Sequence, residues 1–221
     1  MKLRSNYNKS LEQLDQMIQE MGSQTLSALE SAMAAWEAQD QELAREIMAG
    51  DAQINRQEKQ IEQLCLELLL RQQPVAGDLR RVSAGLKMVT DLERLGDHAQ
   101  DIAQLSLEMG SPREYPQWYE LVNTMARTGR EMVAQALESA RTGNLEQAMG
   151  VSQRDNEVDE AFQSLKGLLA QSLAAQPGQM DEILDWLMLA KYLERVADHA
   201  VNLGEWVVFR ITGSYKNTQV L

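Results

Sequence analysis

The octapeptide Leu92-Glu93-Arg94-Leu95-Gly96-Asp97-His98-Ala99 returns 101 residues later as Leu193-Glu194-Arg195-Val196-Ala197-Asp198-His199-Ala200, with six of eight residues identical. In a chain of 221 residues, this repeat indicates two copies of one structural unit. At about 100° per residue, the apolar positions before each motif and its two acids share one helix face. Each half is therefore predicted to end in a helix whose apolar stripe leads into Glu-x-x-x-Asp.

The composition predicts an all-α protein. Hydrophobic residues make up 44% of the chain, prolines number four, and no stretch alternates in the manner of a strand. Turn signals divide the sequence into six helices, expected at about 7–37, 40–71, 78–108, 117–141, 145–175 and 181–210. Short connections favour antiparallel neighbours. We therefore expect two three-helix bundles, at residues 1–112 and 113–214, followed by a mobile tail at 215–221.

The charge and the termini limit the function classes. A formal net charge of −12 argues against non-specific nucleic-acid binding and against docking on anionic lipid. No apolar run reaches the roughly 18 residues of a transmembrane helix, and the polar first residues are unlike a secretory signal. We therefore expect a cytoplasmic protein without direct membrane insertion. The single cysteine, Cys65, is expected to pack in a helical core.

The paired acids are the candidate site. Glu93 and Asp97, and likewise Glu194 and Asp198, lie one turn apart at the end of an apolar stripe, so their charges need neutralising. A metal ion, a basic residue on a facing helix, or protonation could each do this. The second helix of each half carries a further pair, Asp51 with Asn55 and Asp155 with Asp159.

Oxygen ligands of this kind suit Mg, Mn or Ca, with Fe and Zn also possible. The alternative is that these acids face solvent or pair with Arg and Lys.

Known catalytic patterns are missing from the sequence. Helical di-iron proteins place His three residues after Glu, where this chain has Gly96 and Ala197. We find no phosphate-binding glycine loop, no G-x-S-x-G and no paired cysteines. His98 and His199 are expected to serve surface, capping or interhelix hydrogen-bonding roles. A carboxylate-bound metal that activates water, as in a hydrolase or oxidase, is the alternative function. A purely structural helical protein is the third.

Three motifs together resemble the PhoU family, the accessory proteins of bacterial phosphate-specific transport. They are the duplicated Glu-Arg-x-x-Asp-His-Ala, the turn from Gln73 to Arg80, and Asp-x-x-Ile/Val-Asn/Asp at Asp51 and Asp155. The resemblance covers nearly the whole chain. It implies two three-helix bundles and a cytoplasmic, non-enzymatic negative regulator of the phosphate-starvation response. The implied partners are the ATPase subunit of the phosphate ABC transporter, a phosphate-sensing histidine kinase and a second copy of the chain in a homodimer.

The resemblance also implies metal clusters at the acidic motifs, with a metal that differs among family members. For this chain the candidates are Mg, Mn, Fe and Zn. The corresponding residues here are Glu93, Asp97, Glu194, Asp198, Asp51, Asp155, Asp159 and Asp101. The copies differ at two positions, because Asn202 matches Asp101 and Asn55 matches Asp159. The site of the first half is therefore expected to be weaker or differently occupied.

Overall fold

The computed structural model describes residues 2–216 and 218–220, with the side chains of residues 2–5 and 72 outside the description. Six long helices account for nearly all of it: α1 (Lys2–Ala38), α2 (Gln41–Gln72), α3 (Ala76–Ser106), α4 (Pro116–Thr142), α5 (Leu145–Ala175) and α6 (Met180–Thr212). Short 3₁₀ turns at Pro112–Glu114 and Pro177–Gln179 precede α4 and α6. The predicted all-α class is confirmed.

The helix ends follow from local chemistry. Asp40 caps α2 by accepting hydrogen bonds from the backbone N–H groups of Glu42 and Leu43. Asn144 caps α5 in the same way, from Gln147. Before Pro74, Gln73 leaves the right-handed helical region for a left-handed conformation with φ 45°. The third helix begins at Ala76, two residues before the expected Asp78, so Asp78 lies in its first turn.

The helices form two antiparallel three-helix bundles, α1–α3 and α4–α6, which pack against each other along α3 with α6 and along α1 with α4. The guanidinium of Arg80, near the start of α3, donates to the carbonyl of Arg210, near the end of α6. Asp15 on α1 accepts from Arg81 and Arg210, both at 2.7 Å. These contacts hold α3 and α6 antiparallel at the centre of the molecule.

The chain ends in a small hairpin of strands β1 (Ser214–Tyr215) and β2 (Thr218–Gln219). Gly213 turns the chain out of α6 with φ 82°, and the Tyr215 ring stacks on Trp206 with 4.1 Å between ring centroids. Asn217 and Leu221 of the predicted tail lie outside the described residues, and its mobility stays a prediction. None of the described helices is both long and apolar enough to cross a membrane.

Candidate functional site

The acids of the first half gather between α2 and α3. Burial and the charge of Asp97 raise the pKa of the Asp51 carboxyl and that of Glu93. Asn55 donates a hydrogen bond of 2.6 Å to Asp51. The fold thus brings Asp51, Asn55, Glu93 and Asp97 together, on the two helices where the sequence placed them. We call these four residues the first acidic cluster.

A further carboxylate lies next to this cluster. Burial and the charge of Glu62 raise the pKa of Glu58, and Arg94 and Asp97 act on it more weakly. Glu58 follows Asp51 by seven residues, which is two helical turns, so both lie on one face of α2. This spacing is a signal in the sequence, although Glu58 lies outside the duplicated motifs. The position 104 residues later is Phe162, so the repeat itself did not reveal Glu58.

The second acidic cluster consists of Asp155, Asp159, Glu194 and Asp198, between α5 and α6. Burial raises the pKa of Asp155 to about 6, and the charges of Asp159, Asp198 and Glu194 add to the rise. All four predicted acids of this half therefore share one electrostatic environment. Repulsion between them is the physical reason that the site favours a proton or a cation.

Basic side chains neutralise part of each cluster. Arg94 contacts Asp97 at 2.7 Å and Glu93 at 3.4 Å, and Lys191 forms an ion pair with Glu194. Pairing with Arg or Lys was one of the alternatives that the sequence left open. The structure shows such pairing for Glu93, Asp97 and Glu194. The two copies use different cations, because Thr90 occupies the position equivalent to Lys191.

The donor set of the first cluster suits a hard cation. Asp51 Oδ1 and Asn55 Oδ1 are buried and accept no hydrogen bond from the described residues. Glu93 Oε2 is also buried without a hydrogen bond, but it lies 3.4 Å from Arg94 Nε in the ion pair described above. Unpaired buried oxygens of this type are the ligands that Mg²⁺ and Ca²⁺ prefer. Among the residues described, however, no three His, Cys, Asp or Glu side chains are already placed to hold one ion. The chemistry fits, and the carboxylates would have to turn toward the ion.

Between the two clusters lies a cavity of about 860 Å³, whose lining comes from α3, α6 and Lys216 of the hairpin. One of its lining residues is Asp91, which the sequence analysis did not single out. The Asp91 carboxylate lies 2.9 Å from His199 Nδ1 and accepts from Asn202 at 3.3 Å and Trp206 at 3.1 Å. Asp101, which is also a predicted ligand, approaches His98 Nδ1 at 3.4 Å, and its charge adds to the rise in the pKa of Asp51.

The histidines are interhelix residues in this cavity. His98 is buried, and its ring centroid lies 5.6 Å from that of His199. His199 reaches Asp91 on the other bundle, which is the interhelix role expected of it. Cys65 is buried in the core as expected, and burial raises the pKa of its thiol to about 12.

Comparison with known proteins gives matches along both halves. A family model described as the PhoU domain matches residues 18–106 and 122–207. A phosphate-specific transport system accessory protein PhoU homolog of Clostridium acetobutylicum is 33% identical over 211 residues, covering 95% of this chain and 96% of the relative. The Pseudomonas aeruginosa homolog is 30% identical, covering 94% of this chain and 86% of its own length.

Solved structures agree with these matches. The crystal structure of PhoU from Pseudomonas aeruginosa has a TM-score of 0.88 at 30% identity, covering 94% of this chain and all of its own. The phosphate transport system regulatory protein PhoU from Streptococcus pneumoniae has a TM-score of 0.86 at 26% identity, covering 95% of this chain and 98% of its own.

Proposed function

The chain belongs to the PhoU family, and from that premise we propose that it is a non-enzymatic regulator of phosphate uptake. It acts in the cytoplasm as a negative regulator of the phosphate-starvation response. Its partners are the ATPase subunit of the phosphate ABC transporter and a phosphate-sensing histidine kinase, and it works as a homodimer. The observation that carries this proposal is the family match over both halves, together with relatives named as phosphate transport accessory proteins.

A corner of the first bundle supports a docking role. Leu66 and Leu70 near the end of α2 and Val75 in the following turn expose 53%, 79% and 75% of their surfaces. Arg71 is exposed beside them. Apolar groups next to an arginine are typical of the anchors in protein interfaces. We assign this corner, Leu66 to Val75, to the transporter ATPase, which would offer an apolar surface with an acidic rim.

The two acidic clusters are proposed to hold divalent or transition metal ions. Asp51, Glu93 and Asp97, with Glu58 and Asp101 nearby, serve the first ion, and Asp155, Asp159, Glu194 and Asp198 serve the second. When bound, the ion supplies positive charge that relieves the repulsion among these carboxylates. Support comes from the unpaired buried oxygens of the first cluster and the raised carboxyl pKa values in both.

The regulatory role is tested by deleting the gene for this chain in its source bacterium. Alkaline phosphatase activity is then measured during growth in ample phosphate. We expect high constitutive activity that the wild-type copy lowers. A copy carrying Leu70→Glu and Val75→Glu should fail to lower it, whereas Met149→Glu, a change at another exposed apolar residue, should succeed. Activity that stays low in the deletion strain argues against the proposal.

The metal proposal has its own test. The protein is purified without chelating resin, and its metal content is measured by mass spectrometry of the elements. Replacing Glu194 and Asp198 with Ala should lower the metal content. An unchanged content removes these two residues from the site.

One observation favours the metalloenzyme alternative. Asp97 and Asp198, one acid from each cluster, line the open cavity, where a bound ion could meet a substrate. Turnover of a chromogenic phosphate ester by the metal-loaded protein, lost in Asp198→Ala, would establish that function instead.

A further inference from the structure

Each acidic cluster already contains a cation, which the protein itself supplies. In the first cluster, Arg94 Nη1 lies 2.7 Å from Asp97 Oδ2, and Arg94 Nε lies 3.4 Å from Glu93 Oε2. In the second cluster, the ammonium of Lys191 forms an ion pair with Oε2 of Glu194. The oxygens that these two side chains contact therefore belong to acids proposed above as metal ligands.

The same two cations act on the protonation of the clusters. Burial and the charge of Glu194 raise the pKa of Asp198, and the charge of Lys191 opposes that rise. Burial likewise raises the pKa of Glu93, and the charge of Arg94 opposes it. Each side chain thus has the electrostatic effect on these carboxylates that a metal ion would have.

Both cations are free to leave their cluster, whereas the acids are held by burial. The side chains of Arg94 and Lys191 are 55% and 46% exposed. Those of Glu93 and Glu194 are only 15% and 19% exposed. The Lys191 ammonium also lies 5.6 Å from the centre of the Phe162 ring, which gives it a second favourable neighbour. Rotation about side-chain bonds is therefore enough to free the carboxylate oxygens.

We propose that Arg94 and Lys191 are built-in counter-ions of the metal-free protein, which leave the carboxylates when a metal ion binds. This role presupposes that the clusters bind metal, as proposed above. A divalent ion binds carboxylate oxygens at about 2.0–2.6 Å, so it would lie within a few ångströms of a side-chain cation held by the same oxygen. The two positive charges repel each other at that distance. The cost of moving the side chain lowers the affinity of each cluster for metal.

The two clusters should consequently bind metal with unequal affinity. Arg94 contacts two of the three carboxylates of the first cluster, whereas Lys191 contacts one of the four in the second. The second cluster therefore keeps more carboxylates free of a side-chain cation, and it should fill first.

The test is Mn²⁺ binding to the full-length protein after EDTA treatment, followed by the electron paramagnetic resonance signal of free Mn²⁺. Lys191→Gln should tighten the stronger class of site, and Arg94→Gln the weaker class. We expect each change to be about two- to fivefold, the range that partly exposed ion pairs contribute. Circular dichroism checks that each variant is folded.

Two control variants separate charge from other effects. Arg195→Gln removes a positive charge that forms no ion pair with any residue that the structure describes, and it should bind Mn²⁺ as the wild type does. Lys191→Arg keeps the charge and should not tighten binding. Without metal, Lys191→Gln should melt at a lower temperature than the wild type, because Glu194 loses its counter-ion. Saturating Mn²⁺ should narrow or reverse that difference.

The outcomes distinguish the counter-ion role from the metal proposal. If the wild type binds no Mn²⁺, both are wrong. If the wild type binds Mn²⁺ and neither Lys191→Gln nor Arg94→Gln binds it more tightly, the metal proposal stands and the counter-ion role is overturned. Weaker binding by these two variants would also overturn it, since the cations would then help to form the sites.

Discussion

Asp91 on α3 accepts a hydrogen bond from the indole N–H of Trp206 on α6, with 3.1 Å between Oδ2 and Nε1. The two residues belong to different bundles, and Trp206 also carries the stacked ring of Tyr215. One carboxylate thus connects the first bundle, the second bundle and the terminal hairpin.

Replacing Asp91 with Ala should destabilise the protein. The change leaves the indole N–H of Trp206 and Nδ1 of His199 without their partner in a largely buried place. We expect the free energy of unfolding to fall by about 1–3 kcal/mol, measured by urea denaturation. Asp185→Ala on α6 is the control, since the Asp185 carboxylate has no hydrogen bond to the residues that the structure describes. Equal losses in the two variants would contradict the role given to Asp91.

Gly204 is required by the close approach of α5 and α6. A Cβ at this position would lie 2.9 Å from the carbonyl oxygen of Ala148 and 3.2 Å from Val151. Gly204→Ala should therefore cost about 1–3 kcal/mol, despite the better helix propensity of Ala.

Gly167 on α5 provides the matched control, because a Cβ at this position would have no neighbouring atom within 4 Å among the described residues. Gly167→Ala should stabilise the protein by about 0.5–1 kcal/mol. Thermal unfolding of the two variants gives the comparison, and a stabilising Gly204→Ala would show that the helices can move apart at no cost.

Asp155 makes stability depend on pH when metal is removed with EDTA. Its pKa is about 6 in the folded protein, against an ordinary value of 3.8. Between these values the folded chain binds more protons than the unfolded chain, so stability falls as pH rises through this window. We expect a higher melting temperature at pH 5 than at pH 7.5.

Asp155→Asn isolates this contribution. It should raise the stability at pH 7.5 by about 1 kcal/mol, a figure reduced for solvent screening of a half-buried group, and it should flatten the pH profile. Saturating Mn²⁺ should stabilise the wild type at pH 7.5 more than the variant, because the ion uses the same carboxylate. A wild-type profile without slope between pH 5 and 7.5 would contradict the assignment.

The thiol of Cys65 should be inert in the folded state. It is buried, and its pKa of about 12 leaves almost no thiolate at neutral pH. Its reaction with a disulfide reagent at pH 8 should be slower by about two orders of magnitude or more than in guanidinium chloride. The release of thiolate dye measures both rates, and fast labelling of the native protein would show that the core of the first bundle opens readily.

The sequence predicted the helices well because their periodicity and turn residues are local signals. Asp40 and Pro74 mark the ends of α2 within a residue or two, and the acids of both clusters lie between the expected helices. Asp91 could not be predicted in this way, because its role depends on the angle at which α3 crosses α6. Its counterpart in the second repeat is Tyr192, so duplication provided no signal either.

The pairings between charged side chains could not be predicted from the sequence either. Which acid Lys191 or Arg94 contacts depends on rotamers and on neighbours one turn away, and the two repeats differ in this respect. The repeated motif alone predicts equivalent copies. The structure instead gives them different counter-ions, and it places Glu58 beside the first cluster where the second has Phe162.

The residues from Leu107 to Tyr115 are the only covalent connection between the bundles, whereas α3 and α6 lie side by side over most of their length. The noncovalent contacts between α3 and α6 therefore contribute more to the association of the two bundles than the covalent connection does. Residues 1–110 and 111–221, produced as separate polypeptides, are expected to find each other and form a noncovalent heterodimer with the same cavity. A single proteolytic cut in this connection is therefore expected to leave unchanged the binding of any partner that contacts the surface of the assembled bundles.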